Sequence, residues 1–159
     1  TLTTSKSDSF PIALRVPSWC TSFVAKIGNK EYQGKANEYL QINRLWKSGE
    51  KIIISFNMPI KTLEGGKSYP NQIAFQRGSQ ILAFDEVLNP KTILETTQNF
   101  IVTTFENKTI PNLLPKQWIG KQVYQVKIAD NKYLNLVPFA DAGQTDGEMK
   151  VWLPLNVKK

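Results

Sequence analysis

Two stretches decide the fold: residues 10–20, FPIALRVPSWC, and residues 43–60, NRLWKSGEKIIISFNMPI. Each sets an apolar, β-branched run beside an arginine and a tryptophan. In the first, Phe10, Ile12, Leu14 and Val16 alternate with Pro11, Ala13 and Arg15. That period of two predicts a strand buried on one face. Pro17 stops it, because proline donates nothing to a strand ladder. In the second, residues 43–50 read as a loop that carries Arg44 and Trp46 and turns at Ser48-Gly49. Residues 51–57 then form the strongest strand of the chain. The unbroken run Ile52-Ile53-Ile54, with Phe56 beyond it, predicts burial on both faces. Pro59 ends it.

The rest of the chain reads as strands added to these. Residues 22–27 and 31–33 form a hairpin about Gly28-Asn29, residues that tolerate positive φ. Residues 38–42 set Leu40 and Ile42 on one face. Residues 65–70 are loop. Residues 72–77 and 80–87 meet at Gly78-Ser79, a turn tight enough to make them antiparallel neighbours. Further strands are expected over residues 99–105, 120–128, 133–139 and 148–155, and residues 106–115 read as loop. No segment combines a sustained helical period with caps at both ends. About ten short strands with frequent turns predict an all-β antiparallel sandwich, of jelly-roll kind. A seam is expected near residues 89–96. It divides the chain into residues 1–88 and 89–159, packed as one unit or as two small sub-sandwiches.

Composition narrows the function classes. A chain of 159 residues is long enough to bury a core without staples. The net charge of +7 raises nucleic acid as a partner. Its lysines are scattered, however, and only Arg15, Arg44 and Arg77 are arginines, whereas nucleic-acid readers concentrate both on one stripe. No nucleic-acid partner is therefore expected. Cys20 is the sole cysteine, so no intrachain disulfide forms, and a buried, inert thiol is expected. Histidine is absent, which removes Ser-His and Cys-His pairings and histidine metal sites. No apolar run approaches the roughly 20 residues of a membrane span. The chain starts at Thr1 with neither a leader nor an initiator methionine, so a piece of a longer protein is expected.

The side chains propose no reaction. Cleavage of a glycosidic bond generally needs two carboxylates facing each other. Most of the 13 acidic residues fall in turns or at strand ends, and Asp85-Glu86 are strand neighbours that point to opposite faces. Asp141 and Asp146 lack EF-hand spacing. Gly65-Gly66-Lys67-Ser68 lacks the upstream glycine of a phosphate loop. No catalytic residue, metal site or cofactor is expected. Aromatic rings remain, since a ring face can bind the apolar face of a sugar. Trp19, Trp46 and Trp152 sit in apolar patterns and are expected in the core. Trp118 and Tyr69 lie beside proline-containing loops, are expected to be exposed, and are the candidates for carbohydrate binding. Arg15 and Arg44 each precede a tryptophan closely, the arrangement of an arginine stacked on an indole and bridged to a carboxylate.

The order of motifs also resembles a known family. LRVPSW (residues 14–19), INRLWKSGEKIIISFNMPI (residues 42–60) and QIAFQRGSQILAFDEV (residues 72–87) are similar to the region after the catalytic barrel in glycoside hydrolase family 127, the β-L-arabinofuranosidase-like family. LVPFADAG (residues 136–143) and KVWLPL (residues 150–155) resemble its C-terminal segment less specifically. Glu50 stands where that family usually has aspartate, and Ser79-Gln80 replace its Pro-Leu. The resemblance implies a parent enzyme with an (α/α)6 barrel, a zinc-bound cysteine nucleophile and a glutamate acid/base, all upstream of this chain. None of these maps onto a residue here, and Cys20 is not that nucleophile. The chain is thus expected to be a non-catalytic accessory region that packs on the barrel or supports a homodimer. A plant glycan is a further implied partner. By the same analogy the compartment is periplasmic or extracellular.

Overall fold

Alternating apolar residues build the first three elements: β1 (Asp8–Arg15), β2 (Phe23–Ile27) and β3 (Lys30–Gln33). With β4 (Tyr39–Trp46) and β5 (Ile53–Phe56) they complete the first of two units, Thr1–Pro59 and Ile60–Lys159. The computed structural model describes residues 1–90, 100–106, 118–120, 122–128, 132–144 and 146–156.

In the first unit β1 pairs antiparallel with β4, Leu14 opposite Leu40 and Phe10 opposite Arg44. In a second sheet β2 lies between β3 and β5, antiparallel to both. The β2–β3 turn places Gly28 at φ 58, left-handed backbone that glycine enters without a Cβ penalty. The sheets face each other across Ala25 and Ile27 of β2 and Ile42 and Trp46 of β4, with Phe10, Ile12 and Leu14 packed against them. This is a small two-layer sandwich. A second cluster, Val16, Cys20 and Phe23, buries the sole thiol.

Two expectations change here. The loop expected over residues 43–50 is strand as far as Trp46. Leu40, Ile42, Arg44 and Trp46 keep the period of two, and a polar arginine at an inward position hid it. The strand expected to be buried on both faces, β5, is exposed at every position. Its Ile53 is 59% and its Phe56 49% exposed. Apolar, β-branched residues favour a strand locally, but among the described residues β5 is an edge strand paired only with β2.

The second unit holds β6 (Ile60–Glu64), β7 (Ile73–Arg77), β8 (Gln80–Asp85), β9 (Phe100–Glu106), β10 (Tyr124–Ile128), β11 (Lys132–Pro138), β12 (Met149–Lys150) and β13 (Leu155–Asn156). Short 3-10 turns, Glu86–Leu88 and Phe139–Asp141, follow β8 and β11. The sheet order is β13-β9-β10-β11-β8-β7-β6, with β12 beside β8. Neighbours run antiparallel except β13 and β9. One face carries a continuous core that includes Ile73, Phe75, Phe84, Val126, Leu136 and Leu153. Leu153 and Ile73 exchange two backbone hydrogen bonds, at 2.8 and 2.9 Å. These tie the C-terminal segment back to β7, so the sheet curls into a half-barrel.

The chain is therefore all-β and overwhelmingly antiparallel. The final strand expected over residues 148–155 is two short ones, β12 and β13, pairing with different neighbours. Strand β6 belongs to no expected element: Lys61 and Thr62 interrupt its apolar pattern. The β7–β8 hairpin matches expectation, as do the strands β9, β10 and β11. Most of the expected seam, and nearly all of the 106–115 loop, fall outside the described residues.

Candidate functional site

The most elaborate side-chain arrangement of the first unit is built at the end of β4. Arg44 and Trp46 share one side of that strand, and the guanidinium lies 5.1 Å from the indole centroid. Its Nη2 donates to Glu50 Oε1 at 2.8 Å. The other carboxylate oxygen of Glu50 accepts the Lys47 backbone N–H at 2.9 Å, and Trp46 Nε1 donates to the Phe10 carbonyl at 2.8 Å. Gly49, at φ 88, closes the turn and donates to the Leu2 carbonyl. Arg44, Trp46 and Glu50 thus form one clamp that fixes the turn into β5. This is the stacked and bridged arginine the spacing predicts. Arg15, by contrast, is exposed.

The first unit has a second polar anchor. Asn57 Oδ1 accepts the backbone N–H groups of Thr21 and Ser22 at 3.0 and 2.9 Å, and its Nδ2 donates to Thr21 Oγ1. It holds the SWC turn to the end of β5. Beside it, Phe56 lies 6.0 Å from Trp19 and 6.3 Å from Phe23, ring to ring. Trp19 and Phe56 thereby join Ile54, on the same face of β5, in one apolar strip, while Ile53 is exposed on the opposite face.

The two aromatic candidates part company. Trp118, expected to be exposed, is only 6% exposed. It packs with Leu88, Val123 and Val137, and a proline nearby in sequence does not decide what covers a ring. Tyr69 is 44% exposed and stacks on Trp152, centroids 4.7 Å apart and planes 15° from parallel. Trp152, expected in the core, is half-buried, whereas Trp46 is fully buried.

The carboxylates serve the backbone. Buried Asp85 accepts the N–H groups of Val87 and Gly143, both at 3.1 Å. Glu86 accepts that of Glu148 at 3.0 Å. Among the described residues no group of three or more Asp, Glu, His or Cys side chains is placed to hold a metal ion. Burial pushes the Tyr124 phenol above its ordinary value; the Arg77 guanidinium, 4.8 Å from its ring centroid, opposes the shift, and Asp141 adds to it. The Tyr124 hydroxyl donates to Gln122 Oε1 at 2.6 Å. No described helix is long and apolar enough to cross a membrane.

A two-sheet β unit locked by an Arg-Trp-Glu clamp, followed by a curled antiparallel sheet, is the class this geometry defines. Residues 1–58 match the sequence profile of the family described as beta-L-arabinofuranosidase, GH127 middle domain. The first unit is thus similar to a GH127 middle domain, in agreement with the motifs at residues 14–19 and 42–60. Three solved structures are similar in fold. One is described as a glycoside hydrolase, at TM-score 0.62 and 23% identity, covering 92% of this chain and 28% of that one. A GH127 beta-L-arabinofuranosidase from Geobacillus stearothermophilus T6 gives 0.68 and 20%, covering 98% and 28%. A GH127 beta-arabinofuranosidase gives 0.67 and 18%, covering 96% and 29%. The chain thus spans less than a third of the length of each. No curated protein matches its sequence.

Proposed function

We propose that this chain is the non-catalytic accessory region of a GH127-type glycoside hydrolase, and that the catalytic portion of the parent protein covers β5. The observation that carries the reading is β5 itself. Ile53, Ile54 and Phe56 are exposed on an edge strand whose second side has no hydrogen-bonding partner strand among the described residues. Such an edge invites pairing or aggregation unless something shields it, and apolar residues gathered in one patch mark an interaction surface. The match to less than a third of each similar enzyme supports a large absent portion as the occupant. A homodimer contact through the same strip is the competing occupant.

The test uses this chain and the parent-length protein side by side. The backbone amides of β5 that point away from β2 are expected to exchange quickly in the chain alone and slowly in a monomeric parent-length protein. Hydrolysis of an aryl β-L-arabinofuranoside is expected from the parent protein and not from the chain. Hydrolysis by the chain alone, or unprotected β5 amides in the parent, sinks the proposal.

One observation favours a second role. The outer face of Tyr69 is open while its inner face is stacked on Trp152, which presents a rigid ring to solvent as a platform for a sugar. Tyr69→Ala then abolishes retention on immobilised plant glycan; unchanged retention removes this reading.

A further inference from the structure

An open groove of about 620 Å3 lies in the first unit, lined by Ile27, Asn29, Lys30, Tyr32, Asn43 and Arg44. It runs between β3 and β4, each the edge of its own sheet, where the sandwich is open. Its volume falls within the usual range of small-ligand sites, about 300–1,000 Å3. Its polar groups are unspent. Lys30 Nζ sits 5.0 Å from the Tyr32 ring centroid, and no carboxylate pairs with it among the described residues. The side-chain amides of Asn29 and Asn43 make no hydrogen bond there either. Arg44 is held by Trp46 and Glu50. It donates through Nε and Nη2, which leaves the Nη1 hydrogens free.

The inventory of this groove is donor-rich. An ammonium offers three N–H groups, each amide two, and a guanidinium five in all, against two amide oxygens and one phenol as acceptors. A neutral sugar offers hydroxyls that donate and accept alike and leaves the ammonium uncompensated. A sugar carrying a carboxylate supplies the missing acceptors, and its ring can lie on the apolar surface of Tyr32 and Ile27. Glu50 does not repel it, since Arg44 and the Lys47 N–H already engage that carboxylate. Glu31 is ion-paired with Lys26 at 3.7 Å.

We propose that the groove between β3 and β4 binds an acidic polysaccharide through Lys30, Arg44 and the amides of Asn29 and Asn43. The choice of a sugar over an acidic peptide rests on the reading of the chain as part of a glycoside hydrolase. The groove would tether the parent enzyme to a uronate-bearing polysaccharide.

The test is affinity electrophoresis of the chain through gels holding polygalacturonate, neutral arabinan or polyglutamate, at physiological salt. Polygalacturonate is expected to retard the chain and the other two are not. Lys30→Glu weakens retardation roughly tenfold, the loss of a charge-assisted hydrogen bond. Lys61→Glu, an exposed substitution on β6 with the same change in net charge, leaves it within about twofold, as expected of a residue outside the site. Matched melting temperatures for the two variants show that folding is intact. Equal weakening by both variants means diffuse attraction to the +7 surface and overturns the proposal. So does retardation by polyglutamate as strong as by polygalacturonate, or none by polygalacturonate. The β5 exchange and arabinofuranoside assays do not depend on the groove, so either reading can fail alone.

Discussion

Arg44 does two tasks with one side chain. Its guanidinium plane covers the Trp46 indole and its edge holds Glu50, and Glu50 in turn caps the Lys47 N–H. Both charged side chains are partly screened from water, at 32% and 24% exposure, so the pair counts for more than a surface ion pair. Arg44→Ala removes the stack and the bridge and leaves the carboxylate unpaired. The expected loss is about 2 kcal/mol of the first unit's stability, read from the denaturant midpoint. Arg44→Lys is expected to recover less than half, because an ammonium neither stacks as a plane nor forms a fork. A lysine variant as stable as the parent chain would mean that charge alone matters. This clamp is legible in the sequence, because R-x-W and the following glycine-acid pair lie within one turn of chain. The burial of Trp118 is not. It depends on Leu88, Val123 and Val137 arriving from other elements, and no local pattern around Trp118 encodes their arrival.

At the scale of elements, strand existence follows from local pattern and strand environment does not. The alternation in β1 specifies a strand, and the turn chemistry at Gly28 and Gly78 specifies two hairpins, all of which the structure contains. The run in β5 specifies a strand, but the sheet leaves it at an edge, so an apolar sequence stands in solvent. The groove is not legible in the sequence, since it forms where β3 and β4 end their separate sheets, and their separation is not local. The environment of β5 is measurable. Ile53 lies opposite Lys26 in the register with β2. Ile53→Glu in this chain then sets a carboxylate in solvent beside an ammonium, and stability is expected to change by no more than about 0.5 kcal/mol. Were Ile53 buried on both faces, the same change would cost several kcal/mol, roughly the penalty for an unpaired charge in the interior. In the parent-length protein the substitution is expected to be strongly destabilising or to release the catalytic portion. Equal tolerance in both proteins would show that nothing covers β5.

For the whole molecule, the division after Pro59 has no linker to announce it. Asn57-Met58-Pro59 runs from β5 towards β6 with no glycine- or serine-rich stretch, and contacts rather than composition define the two units. Each unit owns its core: Ile42, Trp46, Ala25 and Ile27 in the first, Phe75, Phe84, Val126 and Leu136 among others in the second. A domain of about 60 residues buries only about 60% of the surface its unfolded chain exposes, so Thr1–Pro59 is the unit closer to the limit of stability. Cys20 makes this testable, because the sole thiol of the chain is buried within that unit. Ile42→Ala deletes a fully buried side chain from the core it shares with Trp46 and is expected to cost about 2–5 kcal/mol. If the units open separately, thiol labelling of Cys20 under native conditions accelerates roughly thirtyfold or more, the population change that such a loss implies. Exchange at the β8 and β11 amides then stays as it was, since Leu82, Phe84 and Leu136 lose no neighbour. If labelling and exchange accelerate together, the two units unfold as one. The stability of the first unit would in that case be set by the curled sheet that follows it.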